Sequence, residues 1–93
     1  MEENKTYGYN RKAYEVIMHR RQKQIETALQ PGDTIMIDKG TYKGRRAKYI
    51  GGRMYGSEWM PVFWVAMPSG KFRKQAFGPV TVLRLLGIKD VPE

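Results

Sequence analysis

Five cations, Lys39, Lys43, Arg45, Arg46 and Lys48, fall within ten consecutive residues, and Arg53, Lys71, Arg73 and Lys74 extend the set against a single intervening acid, Glu58. Such a cluster binds anionic oxygens. A guanidinium does so through forked hydrogen bonds and an ammonium as a compact point charge. Each phosphate held in this way releases condensed counterions, so about five to eight contacts supply micromolar-scale nonspecific binding to nucleic acid at physiological salt. Tyr42, Tyr49, Tyr55, Trp59 and Phe72 are interleaved with the cations, and an exposed ring beside a cation stacks on unpaired bases. Tyr42 and Tyr55, next to glycine and basic residues, are the preferred candidates for that role, whereas Phe63, Trp64 and Phe77 are expected in the core.

The residues needed for other chemistry are missing. His19 is the single histidine, Ser57 and Ser69 are the two serines, and there is no cysteine. Nucleophilic triads and histidine- or thiolate-based metal sites therefore lack parts. Gly40 and Gly44 do not have phosphate-loop spacing, and no dinucleotide fingerprint is present. Asp33 lies in a turn sequence that uses aspartate for local backbone bonding. The sequence thus predicts no enzymatic activity, no cofactor and no metal.

The net charge is +8 on 93 residues, which suits polyanionic partners: nucleic acid, an anionic membrane surface, or an acidic protein face. No apolar signal core and no membrane-length apolar stretch stand in the sequence, and the lack of cysteine fits a reducing compartment, so the expected location is cytoplasmic, with no membrane partner.

The elements that must carry these residues are legible in outline. Residues 1–9 lack periodicity and are expected to form a flexible arm, with Tyr7 and Tyr9 able to fold back. Asn10 is a helix N-cap candidate, and over residues 10–30 Tyr14, Ile17, Met18, Ile25, Ala28 and Leu29 share one side of a helical wheel. Lys12, His19, Arg20 and Lys23 form a secondary basic face opposite, while Arg21 falls inside the apolar stripe and must snorkel or pair. Pro31-Gly32 ends the helix. Thr34 to Asp38 alternates as a strand, Arg45 to Ile50 forms the next, and Gly51-Gly52 is expected to be a tight hairpin turn. Residues 57–67 are apolar at both parities, which suggests a strand covered on both faces, with Pro61 marking a bulge or an edge. A turn at Met67–Gly70 leads into a strand at Lys71–Gln75. Residues 80–86 read as a last strand from their β-branched start or as a helical turn from their leucine-rich end. The resulting expectation is one domain, mainly β with an N-terminal α-helix: an arm (1–9), a helix (10–30), a barrel or rolled sheet (31–87) and a tail (88–93).

Residues 31–50, "PGDTIMIDKGTYKGRRAKYI", carry a family likeness. Pro31-Gly32-Asp33 leads into alternating Ile35 and Ile37, Gly40 closes the strand, Lys43-Gly44 occupies the loop, and Arg45, Arg46 and Lys48 follow. This segment resembles the KOW motif of large-subunit ribosomal proteins and NusG-type elongation factors. The resemblance implies a small SH3-like β-barrel of about five strands and contact with RNA or DNA through the loop. Ala47 stands where that family usually has glycine, so its φ must be negative, and Tyr49 stands where a small aliphatic residue is usual.

Together these readings predict a small basic protein that contacts the phosphate backbone of DNA or structured RNA. Lys43, Arg45, Arg46 and Lys48 form the centre of the patch, and Lys39, Arg53, Lys71, Arg73 and Lys74 extend it. The alternative is a protein-interaction module that docks on a larger machine such as RNA polymerase or the ribosome, as a bacterial or viral regulator would. A dimer through Val16 or the edge near Pro61 is compatible with either.

Overall fold

A computed structural model describes the backbone of residues 2–90 and the side chains of residues 12–90. Its elements in order are α1 (Glu2–Ala28), β1 (Thr34–Met36), β2 (Arg46–Tyr55), β3 (Glu58–Ala66), β4 (Phe72–Ala76) and α2 (Pro79–Leu85). The strands form one antiparallel sheet in the order β1-β2-β3-β4. The protein is therefore mainly β with helices at both ends. The sheet has four strands, and the segment expected to supply a fifth is α2.

Helix α1 begins at Glu2, so the expected arm is helical and Asn10 lies within the helix instead of capping it. The side chains of Tyr7 and Tyr9 lie outside the described residues. Along the described side chains of α1, burial deepens toward its end: Lys12 to Val16 are exposed, Ile17 and Met18 are half-buried, and Ile25 and the following Leu29 enter the core. Arg21 pairs, as its place in the apolar stripe demands. Its Nε and Nη2 donate to Oδ1 and Oδ2 of Asp90, each at 3.0 Å. This fork ties the helix to the segment after α2.

The turn Gln30–Asp33 closes in both directions. Asp33 N donates to Gln30 O at 2.9 Å, and Gln30 N donates to Asp33 Oδ2 at 2.9 Å. Pro31 presets φ at the second position and Gly32 takes φ 101°, as a type II turn requires. The turn is also stitched to β2, because Gly32 N donates to Tyr49 O and Tyr49 N donates to Asp33 O, both at 2.8 Å.

Gly51-Gly52 is not a turn. Both lie inside β2, where the pairing steps from Tyr49 opposite Phe63 to Gly51 opposite Val62. The extra residue, Ile50, makes a β-bulge, and Gly51 with φ 136° absorbs it. The bulge reverses which residues of β2 face inward, so Gly52 and Met54 come opposite Pro61 and Trp59. A Cβ on Gly52 would overlap the indole of Trp59, so this glycine is required by side-chain contact and Gly51 by backbone angle. The reversal itself occurs at Gly56, φ 65°, between Tyr55 and its partner Glu58.

Residues 79–85 are helical for reasons of their own. Pro79 occupies the first turn, where a missing N–H costs nothing. At the other end Ile88 N donates to Leu83 O and Gly87 N to Arg84 O, with Gly87 at φ 73°, the hydrogen-bond pair of a Schellman stop. Val82 and Leu83 are fully buried on its inner side.

The core is built on one face of the sheet. Ala47, Tyr49, Phe63 and Val65 meet Ile25 and Leu29 of α1 and Val82 and Leu83 of α2. Each large side chain removed from water here contributes roughly 1.5–3 kcal/mol. Ala47 fits within an ordinary strand and is completely buried. Tyr49 packs against Phe63 with ring centroids 5.2 Å apart. Burial, and then the charge of Glu26, raise its phenol above the ordinary 10.0.

Two outcomes follow from this packing. Gly52→Ala should lower the denaturation midpoint by the equivalent of about 1–3 kcal/mol without changing the denaturant slope; an unchanged midpoint would mean that the indole does not rest on this glycine. The raised Tyr49 phenol makes the fold lose stability as pH climbs past 10.0, because the unfolded chain ionises first. Tyr49→Phe should therefore show a smaller alkaline loss than the parent in denaturant titrations at neutral and alkaline pH.

Candidate nucleic-acid interface

Strand alternation places the other half of the sheet residues in solvent. Pairing aligns Thr34, Lys48, Trp64 and Lys74 in one row across all four strands. In the adjacent row Met36 lies opposite Arg46, and Ala66 lies opposite Phe72. These two rows form the outer face of the sheet, and the inner face carries the core.

Large apolar groups are exposed there: Trp64 retains 40% of its surface, Met36 54% and Phe72 63%. Lys48, Trp64 and Phe72 line a shallow concavity of about 370 Å³. The Nζ of Lys74 lies 5.9 Å from the centroid of the Trp64 ring, a cation–π contact worth roughly 0.5–1 kcal/mol at an exposed site. Trp64 is thus not a core residue, which corrects the expectation from its apolar neighbourhood. The strand 58–66 is fully covered on one side only, although Val62 of the other parity is also buried.

Arg46, Lys48 and Lys74 make no ion pair among the described residues, where the salt bridge is that of Arg21 with Asp90. Several carboxylates are held elsewhere. Asp90 takes Arg21, Asp33 accepts from the Gln30 backbone, and Glu58 accepts from the Tyr14 hydroxyl at 3.0 Å. That last hydrogen bond is the first cause of the raised Tyr14 phenol, since an ionised tyrosine could not donate it.

The remaining candidates are distributed more widely than a single patch. Lys39 and Lys43 are exposed on the loop between β1 and β2. That loop is closed by Ile37 N donating to Arg45 O at 2.9 Å and Gly44 N donating to Ile37 O at 2.7 Å. Tyr42 anchors it from beneath. Its hydroxyl and Gln75 Oε1 are 3.3 Å apart, and its ring meets Phe77 edge-on at 6.2 Å. Tyr42 is therefore half-buried structural packing and not a free stacking platform. Tyr49 and Trp59 are likewise buried. Arg45 is half-buried, and Arg73 is exposed at the end of the inner row Ile35–Ala47–Val65–Arg73. Lys71 is exposed in the turn before β4.

Arg53 and Tyr55 are exposed near the far end of β2. At about 3.3 Å per residue, Tyr55 is roughly 20 Å along the strand from Lys48. On α1, Lys12 and Lys23 are exposed and Arg20 is half-buried. Because α1 packs on the inner side of the sheet, this secondary basic face does not join the outer one. Arg84, which the charge pattern did not single out, borders a cleft with Lys39 and Tyr42. What the sequence missed most was Trp64 as a surface group; the signal available was its parity opposite Phe63 and Val65.

No protein-family model, no curated protein and no solved structure matches this chain. Among the described residues, no helix is long and apolar enough to cross a membrane.

The two tryptophans should report the two sides of the sheet separately. Trp59, 7% exposed, should be shielded from acrylamide, whereas Trp64 should be quenched readily. Trp64→Phe should remove most of the quenchable emission. Retention of that emission in the variant would contradict the assignment of faces.

Proposed function

We propose that this protein binds nucleic acid, with the phosphate backbone held by the cations of the outer sheet face. The observation that carries the reading is the row in which Lys48 and Lys74 flank Trp64, with Arg46 in the adjacent row and none of the three cations in an ion pair among the described residues. Cations without carboxylate partners lose little on meeting phosphate, because no ion pair must first be broken. The backbone around them is ordered by the sheet ladder, so the charges are held at fixed spacing.

The segment that resembles a KOW motif supports the same reading, since it contributes Arg46 and Lys48 to this face and Lys39 and Lys43 to the adjoining loop. The composition supports it too. A net charge of +8 raises the local concentration of any polyanion around the molecule. Contacts of this kind hold the backbone and read sequence little.

Affinity measured against salt concentration tests the mechanism. Three phosphate contacts should give a log–log slope of about −2 or steeper, at −0.7 per contact for a single strand and −0.9 for duplex DNA. Replacing both Arg46 and Lys48 with glutamine should flatten the slope by about 1.4 for a single strand and about 1.8 for duplex DNA, and weaken binding to every sequence alike. A salt-independent affinity, or a double variant that binds as well as the parent, would instead favour a protein-interaction module that docks through another surface.

A further inference from the structure

The outer face holds more than charge. A surface that only gripped phosphates would have no use for an indole and a phenyl ring projecting into water between its cations. Large aromatic groups are normally withdrawn from solvent, and their clustering on an exposed face marks a binding surface. Here Trp64 stands between Lys48 and Lys74 in one row, and Phe72 lies diagonal to Trp64 on the neighbouring strand. Strands in a sheet are about 4.8 Å apart, so the two lysines start roughly 10 Å from each other with the indole midway. Diagonal partners are separated by about 7–8 Å, which lets each ring receive its own base.

Resting on the nucleic-acid reading above, we propose that the ligand is an unpaired strand, with one base stacked on Trp64, a neighbouring base stacked on Phe72, and the connecting phosphates held by Lys48, Lys74 and Arg46. The chemistry separates this ligand from a duplex. Paired bases offer only their edges in the grooves and keep their faces stacked on one another. A duplex laid on this surface would press phosphates against Trp64, Phe72 and Met36 and leave the rings unused. An unpaired strand presents both faces and phosphates, matching the alternation of aromatic and cation. The shallow concavity bounded by Lys48, Trp64 and Phe72 gives a flat base a seat beside a positive charge.

The Lys74 contact with Trp64 fits this assignment. It holds the indole in place in the free protein. A stacked base is worth more than an exposed cation–π contact, so the base displaces the ammonium from the ring and the ammonium turns to the adjacent phosphate.

The test compares three probes at low salt with matched phosphate number: an unstructured thymidine or uridine oligonucleotide, a duplex of the same length, and inorganic polyphosphate, which carries the charge without bases. The oligonucleotide should bind most tightly and quench the Trp64 emission. Trp64→Ala should weaken oligonucleotide binding by about 5- to 150-fold while leaving polyphosphate binding nearly unchanged. Trp64→Phe should restore much of the loss. Phe72→Ala, at the most exposed ring of the face, gives the same comparison with least risk to folding. Equal affinity for all three probes, with Trp64→Ala and Phe72→Ala binding like the parent, would overturn the stacking assignment and leave phosphate binding standing. Failure of all three probes to bind would remove both.

Discussion

The organising constraint is that both helices lie on the same side of the sheet. Ile25 and Leu29 of α1 and Val82 and Leu83 of α2 cover Ala47, Tyr49, Phe63 and Val65. On the reverse, Val62 is buried, but Met36, Lys48, Trp64, Phe72 and Lys74 stand exposed. A four-stranded sheet of this size gains a core from one covered face, and strand alternation then dictates that every second residue is presented to solvent. Lys48 and Trp64 are exposed because their chain neighbours Ala47, Tyr49, Phe63 and Val65 are buried, and strand pairing sets Lys74 beside Trp64.

Two devices keep that arrangement in register. The bulge at Ile50–Gly51 shifts the parity of β2 midway, so its first half sends Ala47 and Tyr49 inward while its second half sends Gly52 inward beneath Trp59. The Arg21–Asp90 fork ties the later part of α1 to the segment that follows α2. At half-exposed depth its two hydrogen bonds contribute more to placement than to net stability.

The basic loop occupies a different position in this scheme from that suggested by charge alone. Tyr42 roots the loop on Gln75 and Phe77, which makes the tyrosine a strut and leaves Lys39 and Lys43 at the surface. Arg45 and Arg46, adjacent in sequence, point to different sides of the β2 strand. Arg53 and Tyr55 sit at the remote end of the hairpin. A run of like charges in the sequence is thus divided by strand geometry into a compact trio on the outer sheet face, interleaved with Trp64 and Phe72, and several outlying cations.

The local features could be read from the residues alone. The α1 periodicity gave Ile25 and Leu29 as core, Arg21 as a residue in need of a partner, and Asp33 as a turn residue. Pro31-Gly32 marked the end of the helix, and the alternation of Ile35 and Ile37 marked the sheet. These depend on interactions within a few residues, where propensity and spacing act directly. What lay on each face depended on packing between elements far apart in the chain. Gly51-Gly52 is a bulge rather than a turn because the pairing of β2 with β3 runs on through them, from Ala47 to Tyr55. Residues 79–85 are a helix because Pro79, Gly87 and the inward side of Val82 and Leu83 agree on one, despite β-branched residues at its start. Trp64 faces water while Trp59 does not, since the helices cover only one side of β3. A run such as 57–67, apolar at both parities, carries no label for inside or outside; that choice belongs to the elements that pack against it.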